Sequence, residues 1–317
     1  MTAGRYVGQR VLRNEDRRFT TGHGTYIDDV VVAGMLHAAF VRSDFARGVI
    51  RSIDTSQAEA LPGVFAVVTA ADLNPIAGAM YSTLIGPDAP APPMRALADE
   101  DVRYAGEPIA VVVADSRYVA EDAAELVLVD IDPQPAIIGP LTALAETDEL
   151  VHPERGSNEA QAFPVNDTPE LEAAFDGAAH VVTRRFTQSR ATCVPMAGRG
   201  LFASWVPSAQ TFEAWVSSHN PHEYHAHIAR GLDVPHLHVR LRTPDVGGGF
   251  GQKVMVTRDE DCIVLASKVL ARPIKWIEDR RENLIAATQA REEVLDVSMA
   301  LDDDAHIVAC RVRHAED

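Results

Sequence analysis

The sequence predicts an α+β protein of two domains, and three features carry that reading. Its 317 residues suffice for two domains at roughly 100–200 residues each. Apolar runs of strand length alternate with segments of helical period along the chain. Between Asp132 and Pro169 the composition shifts to prolines at 133, 135, 140, 153, 164 and 169 and a polar run from Glu154 to Gln161, which reads as a linker.

In the first half, Met35–Val41 is short, apolar and strand-like. Val64–Thr69 follows the turn pair Pro62-Gly63 and reads as another strand. Pro108–Ala114 is an unbroken apolar run, the pattern of a strand covered on both faces. Ser116 is placed to cap a helix over Tyr118–Leu128, where Val119, Ala123, Leu126 and Val127 recur at helical spacing. Val127–Ile131 then turns extended. Asn74–Arg95 holds five prolines and little periodicity, and reads as a long surface loop.

In the second half, His180–Thr187, Leu201–Val206, Phe212–Ser217 and Leu237–Thr243 read as strands, and His222–Leu232 as a helix closing near Gly231. Thr257 and Glu260 form a capping-box pattern ahead of the apolar run Ile263–Leu270. Pro273–Ile277 is a short strand, Asp279 caps a helix through Ala287, and Val294–Leu301 and Ile307–Val312 alternate around the turn Asp302–Asp304.

The net charge is −17, from 46 acidic and 29 basic residues. That excludes a basic nucleic-acid groove and an anionic membrane surface as partners. Cys193, Cys262 and Cys310 are odd in number and form no CxxC pair, which argues against a disulfide framework, a zinc ribbon or an iron–sulfur cluster on this chain and fits a reducing cytoplasm. Met1–Val11 has no apolar leader, and no run approaches the roughly 18 apolar residues of a membrane span.

Gly247-Gly248-Gly249-Phe250-Gly251 is the sharpest motif. Consecutive glycines lose backbone entropy and pack nothing, so they persist where unusual dihedrals or a close approach are needed. Successive N–H groups in such a loop can face an anion or an oxo group; a ligand-free strand–helix turn is the other reading. The motif is not GxGxxG, and Gln252-Lys253-Val254 does not complete a phosphate loop. Six histidines lie between His219 and His238, and His222 and His225 would share a helix face at a spacing zinc sites use. No HExxH motif is present, and a histidine-rich polar helix face is the plainer reading. Pairs such as Asp28-Asp29 and Glu278-Asp279 read as caps and turns.

The segment Val239–Lys253, VRLRTPDVGGGFGQK, resembles the loop that approaches the metal in the molybdenum-binding large subunits of the xanthine dehydrogenase, aldehyde oxidase and carbon monoxide dehydrogenase family. Arg13–Asp29, Val41–Asp54, Ala60–Leu73, Tyr104–Asp115, Ala120–Asp132 and Pro273–Glu282 resemble the same subunits in the same order. The resemblance implies a hammerhead-type α/β domain over 1–150, followed over 151–317 by the first part of a molybdopterin-binding α/β domain. It implies oxidative hydroxylation of an aldehyde, N-heterocycle or similar small molecule at a molybdenum–pterin cofactor, with electrons passing to iron–sulfur and FAD partner subunits.

By the same resemblance, Gly248, Gly249, Phe250 and Gly251 lie beside the cofactor, and His219 stands where the family commonly has a glutamine facing the apical ligand. Ala197 stands in place of a glutamate. Val254 replaces the glutamate of purine-oxidising members, which disfavours purines. The remaining cofactor loops and the general-base glutamate are expected on a separate C-terminal polypeptide, so this chain contributes no catalytic residue or metal ligand and is expected to be inactive alone. The alternatives are a non-catalytic remnant or assembly module of the same fold, or a zinc protein built on the 219–238 histidines.

Overall fold

The computed structural model describes residues 7–77, 95–146, 148–163 and 167–317. The loop reading over Asn74–Arg95 falls mostly on residues outside these; its start is a 3-10 turn, Asn74–Ile76. Up to residue 150 the elements are α1 (Asp16–Thr20), β1 (Leu36–Arg42), β2 (Gly48–Asp54), α2 (Ser56–Glu59), β3 (Val64–Thr69), α3 (Ala70–Leu73), β4 (Asp101–Val102), β5 (Pro108–Ala114), α4 (Arg117–Ala124), β6 (Leu128–Pro133) and α5 (Pro140–Ala145). Beyond it come α6 (Pro169–Asp176), β7 (His180–Gln188), β8 (Ala191–Thr192), β9 (Gly200–Val206), β10 (Thr211–Val216), α7 (Pro221–Gly231), β11 (Val239–Arg242), α8 (Arg258–Leu270), β12 (Ile274–Ile277), α9 (Arg280–Ala286), β13 (Gln289–Ala290), β14 (Glu293–Leu301) and β15 (Ile307–Glu316).

A seven-stranded sheet in the order β11-β10-β9-β12-β1-β5-β3 organises the molecule. It is joined in its middle by a parallel pair, Leu36 opposite Ile274 and His37 opposite Lys275, so strands from both sides of residue 150 share one sheet. β5 is buried at every position. Val111 and Val113 enter the large core beneath α7 and α8, while Ala110 and Val112 meet Ala123 of α4 in a second cluster. Two-sided burial is why its sequence is apolar throughout rather than alternating. β4-β2-β6 and β15-β14-β7 form two smaller antiparallel sheets.

The helix expected over Tyr118–Leu128 begins as read, with the Ser116 side chain accepting from the Val119 N–H, but ends at Ala124. Leu128 is taken by β6 to pair with Asp54 of β2, a strand whose mixed burial gave no clean period. Prolines 140 and 169 begin α5 and α6 rather than continuing a linker. A proline at the first helical turn lacks only an N–H that would be unpaired anyway. His236–His238 is a 3-10 turn, so β11 starts at Val239.

Candidate cofactor-binding site

β11 leads into the glycine loop, and a 3-10 turn, Gln252–Val254, leads out of it toward α8. The entry is pinned by the N-terminal segment. Arg18 donates to Asp245, 2.6 Å at Oδ1, and Asp245 accepts from the Thr25 N–H at 2.7 Å while its own N–H reaches Thr25 O at 2.8 Å. At the exit, Glu260 accepts from the Thr257 N–H at 2.9 Å, the reciprocal half of a capping box that starts α8.

Within the loop, Gly247, Gly248 and Gly251 have φ of +68°, +94° and +96°, and Phe250 is left-handed at +52°. Left-handed backbone costs a non-glycine residue about 1–2 kcal/mol, so Phe250 is held there by its neighbours. The Cys193 thiol donates to Phe250 O at 3.2 Å. The Phe250 side chain itself is 74% exposed. Among the described residues, the N–H groups of Gly248, Gly249, Phe250 and Gly251 have no acceptor.

Two segments pack against the loop. A Cβ on Gly249 would lie 2.5 Å from His219 Nδ1, and one on Gly247 would lie 2.5 Å from Ala197 Cβ. A Cβ on Gly251 would meet nothing within 4 Å. The structure thus brings Gly248, Gly249, Phe250, Gly251 and His219 together, with Ala197 beneath Gly247. His219 is exposed on the open side, its N–H donating to Lys253 O at 3.3 Å.

Two residues that sequence reasoning missed hold this arrangement. Lys253 is fully buried, and its ammonium donates to Ala197 O at 2.8 Å, Ser217 Oγ at 2.8 Å and Val246 O at 2.7 Å. Burial pulls its pKa down to about 8. Arg199, also fully buried, donates to Glu278 Oε1 at 2.7 Å and Asp259 Oδ2 at 2.8 Å. Burial alone would lower its pKa, but Asp259, Glu260 and Glu278 raise it well above the ordinary value. Arg42 binds the other side of Asp259 at 2.8 Å and Glu282 at 3.0 Å. This ion network ties the Pro195–Gly200 segment to α8 and α9. Its only sequence signal was charge inside or beside apolar runs, which is indistinguishable from a solvated face without the fold.

The histidine cluster does not assemble a metal site. His225 donates to Val239 O at 3.0 Å and stacks on His236 with ring centres 5.3 Å apart. His227 is buried against Asp261 at 3.0 Å, and His238 donates to Gln210 O at 2.9 Å. Among the described residues, the group with ligand atoms near enough to share an ion is Glu293, His314 and Glu316, which contains none of the six. His225 is spent on these backbone and ring contacts, while His222 on the same helix is exposed.

The loop fits an anionic or oxo-bearing group. N–H groups without an acceptor among the described residues are the donor set such a group takes, and the space beside Gly251 is open. The three cysteines are free, and no helix among the described residues is long and apolar enough to cross a membrane.

Residues 151–317 match the molybdopterin cofactor-binding domain, and residues 21–135 match the aldehyde oxidase and xanthine dehydrogenase a/b hammerhead domain. The nicotine 6-hydroxylase large subunit of Paenarthrobacter nicotinovorans is 36% identical over 98% of this chain and 38% of its own length. The carbon monoxide dehydrogenase large chain of Afipia carboxidovorans is 38% identical over 96% of this chain and 39% of its own. Two solved structures superpose on 97% of this chain and 39% of theirs. They are reconstituted CO dehydrogenase from Oligotropha carboxidovorans, with a TM-score of 0.89 and 37% identity, and quinoline 2-oxidoreductase from Pseudomonas putida 86, with 0.86 and 36%. The chain therefore spans about two fifths of the length of these relatives. It belongs to the family of molybdenum-binding large subunits of the xanthine dehydrogenase, aldehyde oxidase and carbon monoxide dehydrogenase type, of which it carries the hammerhead domain and the N-terminal portion of the molybdopterin cofactor-binding domain.

Proposed function

We propose that this chain is part of a molybdenum hydroxylase, an oxidoreductase acting on an aldehyde, an N-heterocycle or a similar small molecule. The observation that carries this reading is the row of N–H groups from Gly248 to Gly251 that have no acceptor among the described residues, flanked by His219. When bound, the molybdenum–pterin group supplies the two-electron oxidative chemistry.

The chain's own residues orient and enclose that group. The N–H groups of Gly248–Gly251 form a fixed set of donors for an oxygen or sulfur atom carrying negative charge. Such donors cost no reorganisation during reaction because the fold has already placed them. His219, with one nitrogen protonated, offers a further donor where a glutamine amide would. Phe250 adds an exposed aromatic side chain beside Gly248. Val254 presents an apolar side chain with no carboxylate for a purine.

The rest of the cradle, the general base and the iron–sulfur and FAD groups are assigned to polypeptide outside these residues. Nicotine and quinoline, named for two relatives, are both N-heterocycles, and the free thiols suit a reducing cytoplasm. The test is to co-express the chain with the segments that complete the relatives' large subunit and with iron–sulfur and FAD subunits. Molybdenum content and substrate-dependent dye reduction are then measured on aldehydes and N-heterocycles. A folded complex free of molybdenum would sink the reading.

A further inference from the structure

Lys253 is buried without a carboxylate partner among the described residues; all three acceptors of its ammonium are neutral. A buried charge costs several kcal/mol even after relaxation, and an apolar side chain of that length would pack in its place without that cost. The cost is borne directly behind the glycine loop. The three acceptors lie on three separate segments: Ala197 beneath Gly247, Ser217 two residues before His219, and Val246 at the loop's entrance. The backbone of the same residue closes the other end. Lys253 O accepts from the His219 N–H at 3.3 Å and the Ser218 hydroxyl at 3.0 Å. One residue thus ties the Ala197 and Ser217–His219 segments to the loop's entrance at Val246, and it adds a positive charge beside a loop whose N–H groups already present partial positive charge.

The geometry points to Lys253 as the positioning residue of the cradle, fixing the loop against His219 and adding a buried positive charge that favours an anionic oxygen or sulfur at the N–H groups of Gly248–Gly251. This rests on the proposed molybdenum function. With its pKa near 8, the ammonium stays charged at neutral pH.

The test compares Lys253→Met and Lys253→Arg with the wild type in the assembled complex. Molybdenum per chain, the Mo(V) electron paramagnetic resonance spectrum and the melting temperature are read together. Lys253→Met should lose molybdenum about ten-fold or shift the Mo(V) g-values, beyond what its fall in melting temperature explains. Lys253→Arg, which keeps a charged donor, should recover most of the content and the wild-type signal. Wild-type content with an unchanged signal in Lys253→Met would overturn the proposal. So would equal loss in both variants at matched melting temperatures, which marks a purely structural role. Should Lys253→Met not fold, Ser217→Ala removes a single acceptor: a shifted signal at unchanged melting temperature supports the proposal, and an unchanged one overturns it. Absence of molybdenum from the wild-type complex would instead overturn the functional reading itself.

Discussion

The imidazole of His219 lies against the backbone of Gly249, so close that a methyl group added there would sit 2.5 Å from Nδ1. Because the ring is exposed, it can swing away rather than strain the core. Gly249→Ala should therefore leave the melting temperature within a few degrees of wild type while lowering the assembled enzyme's turnover at least ten-fold. Gly251→Ala meets no atom but must adopt a φ of +96°, and should cost about 1–2 kcal/mol in urea unfolding. Full turnover in Gly249→Ala would show that the His219 contact is incidental.

His219 should act as a donor toward the cofactor. A preorganised donor of this kind is worth about 2.7–4 kcal/mol in the transition state, so His219→Ala should lose roughly a hundred- to a thousand-fold in kcat at every pH. His219→Gln, whose side-chain amide keeps an N–H donor, should retain substantial activity. Wild-type kcat in His219→Ala would remove the residue from the site.

These 317 residues by themselves should hold no stoichiometric molybdenum. One backbone loop and one histidine offer few contacts against the entropy lost on binding a large cofactor. Elemental analysis of the purified chain checks this, and one metal per chain would contradict it.

Arg199 is the centre of a buried ion network, with Asp259 and Glu278 both below a tenth exposed. Removing one partner of a buried pair leaves the others uncompensated and typically costs about 3–5 kcal/mol. Arg199→Met should therefore destabilise the chain by that amount in urea unfolding. A change below about 1 kcal/mol would mean that the carboxylates are neutralised by protonation or water.

His227 links α7 to α8 through Asp261. Burial alone would lower its pKa, but the Asp261 carboxylate raises it above the ordinary 6.5. A raised histidine stabilises the fold fully below pH 6.5 and loses that contribution as the pH climbs through the raised value. The stability difference between wild type and His227→Gln should therefore be larger at pH 6 than at pH 9. A pH-independent difference would show that the imidazole stays neutral.

The sequence alone determined the elements whose patterns are local. β5 was legible because burial on both faces writes an unbroken apolar run, and the starts of α4, α8 and α9 because Ser116, Thr257 and Asp279 sit at capping positions. The glycine loop was legible because three adjacent glycines have no local justification other than backbone geometry. Tertiary structure decided the rest. β6 takes Leu128 from the helical pattern because pairing with Asp54 lies far away in sequence. The parallel join of Leu36 to Ile274 welds strands from both sides of residue 150 into one sheet, which no local composition encodes. Nothing local marks Lys253 and Arg199 as buried, because acceptors such as Ala197, Ser217 and Glu278 come from segments distant in sequence and are brought to them only by packing.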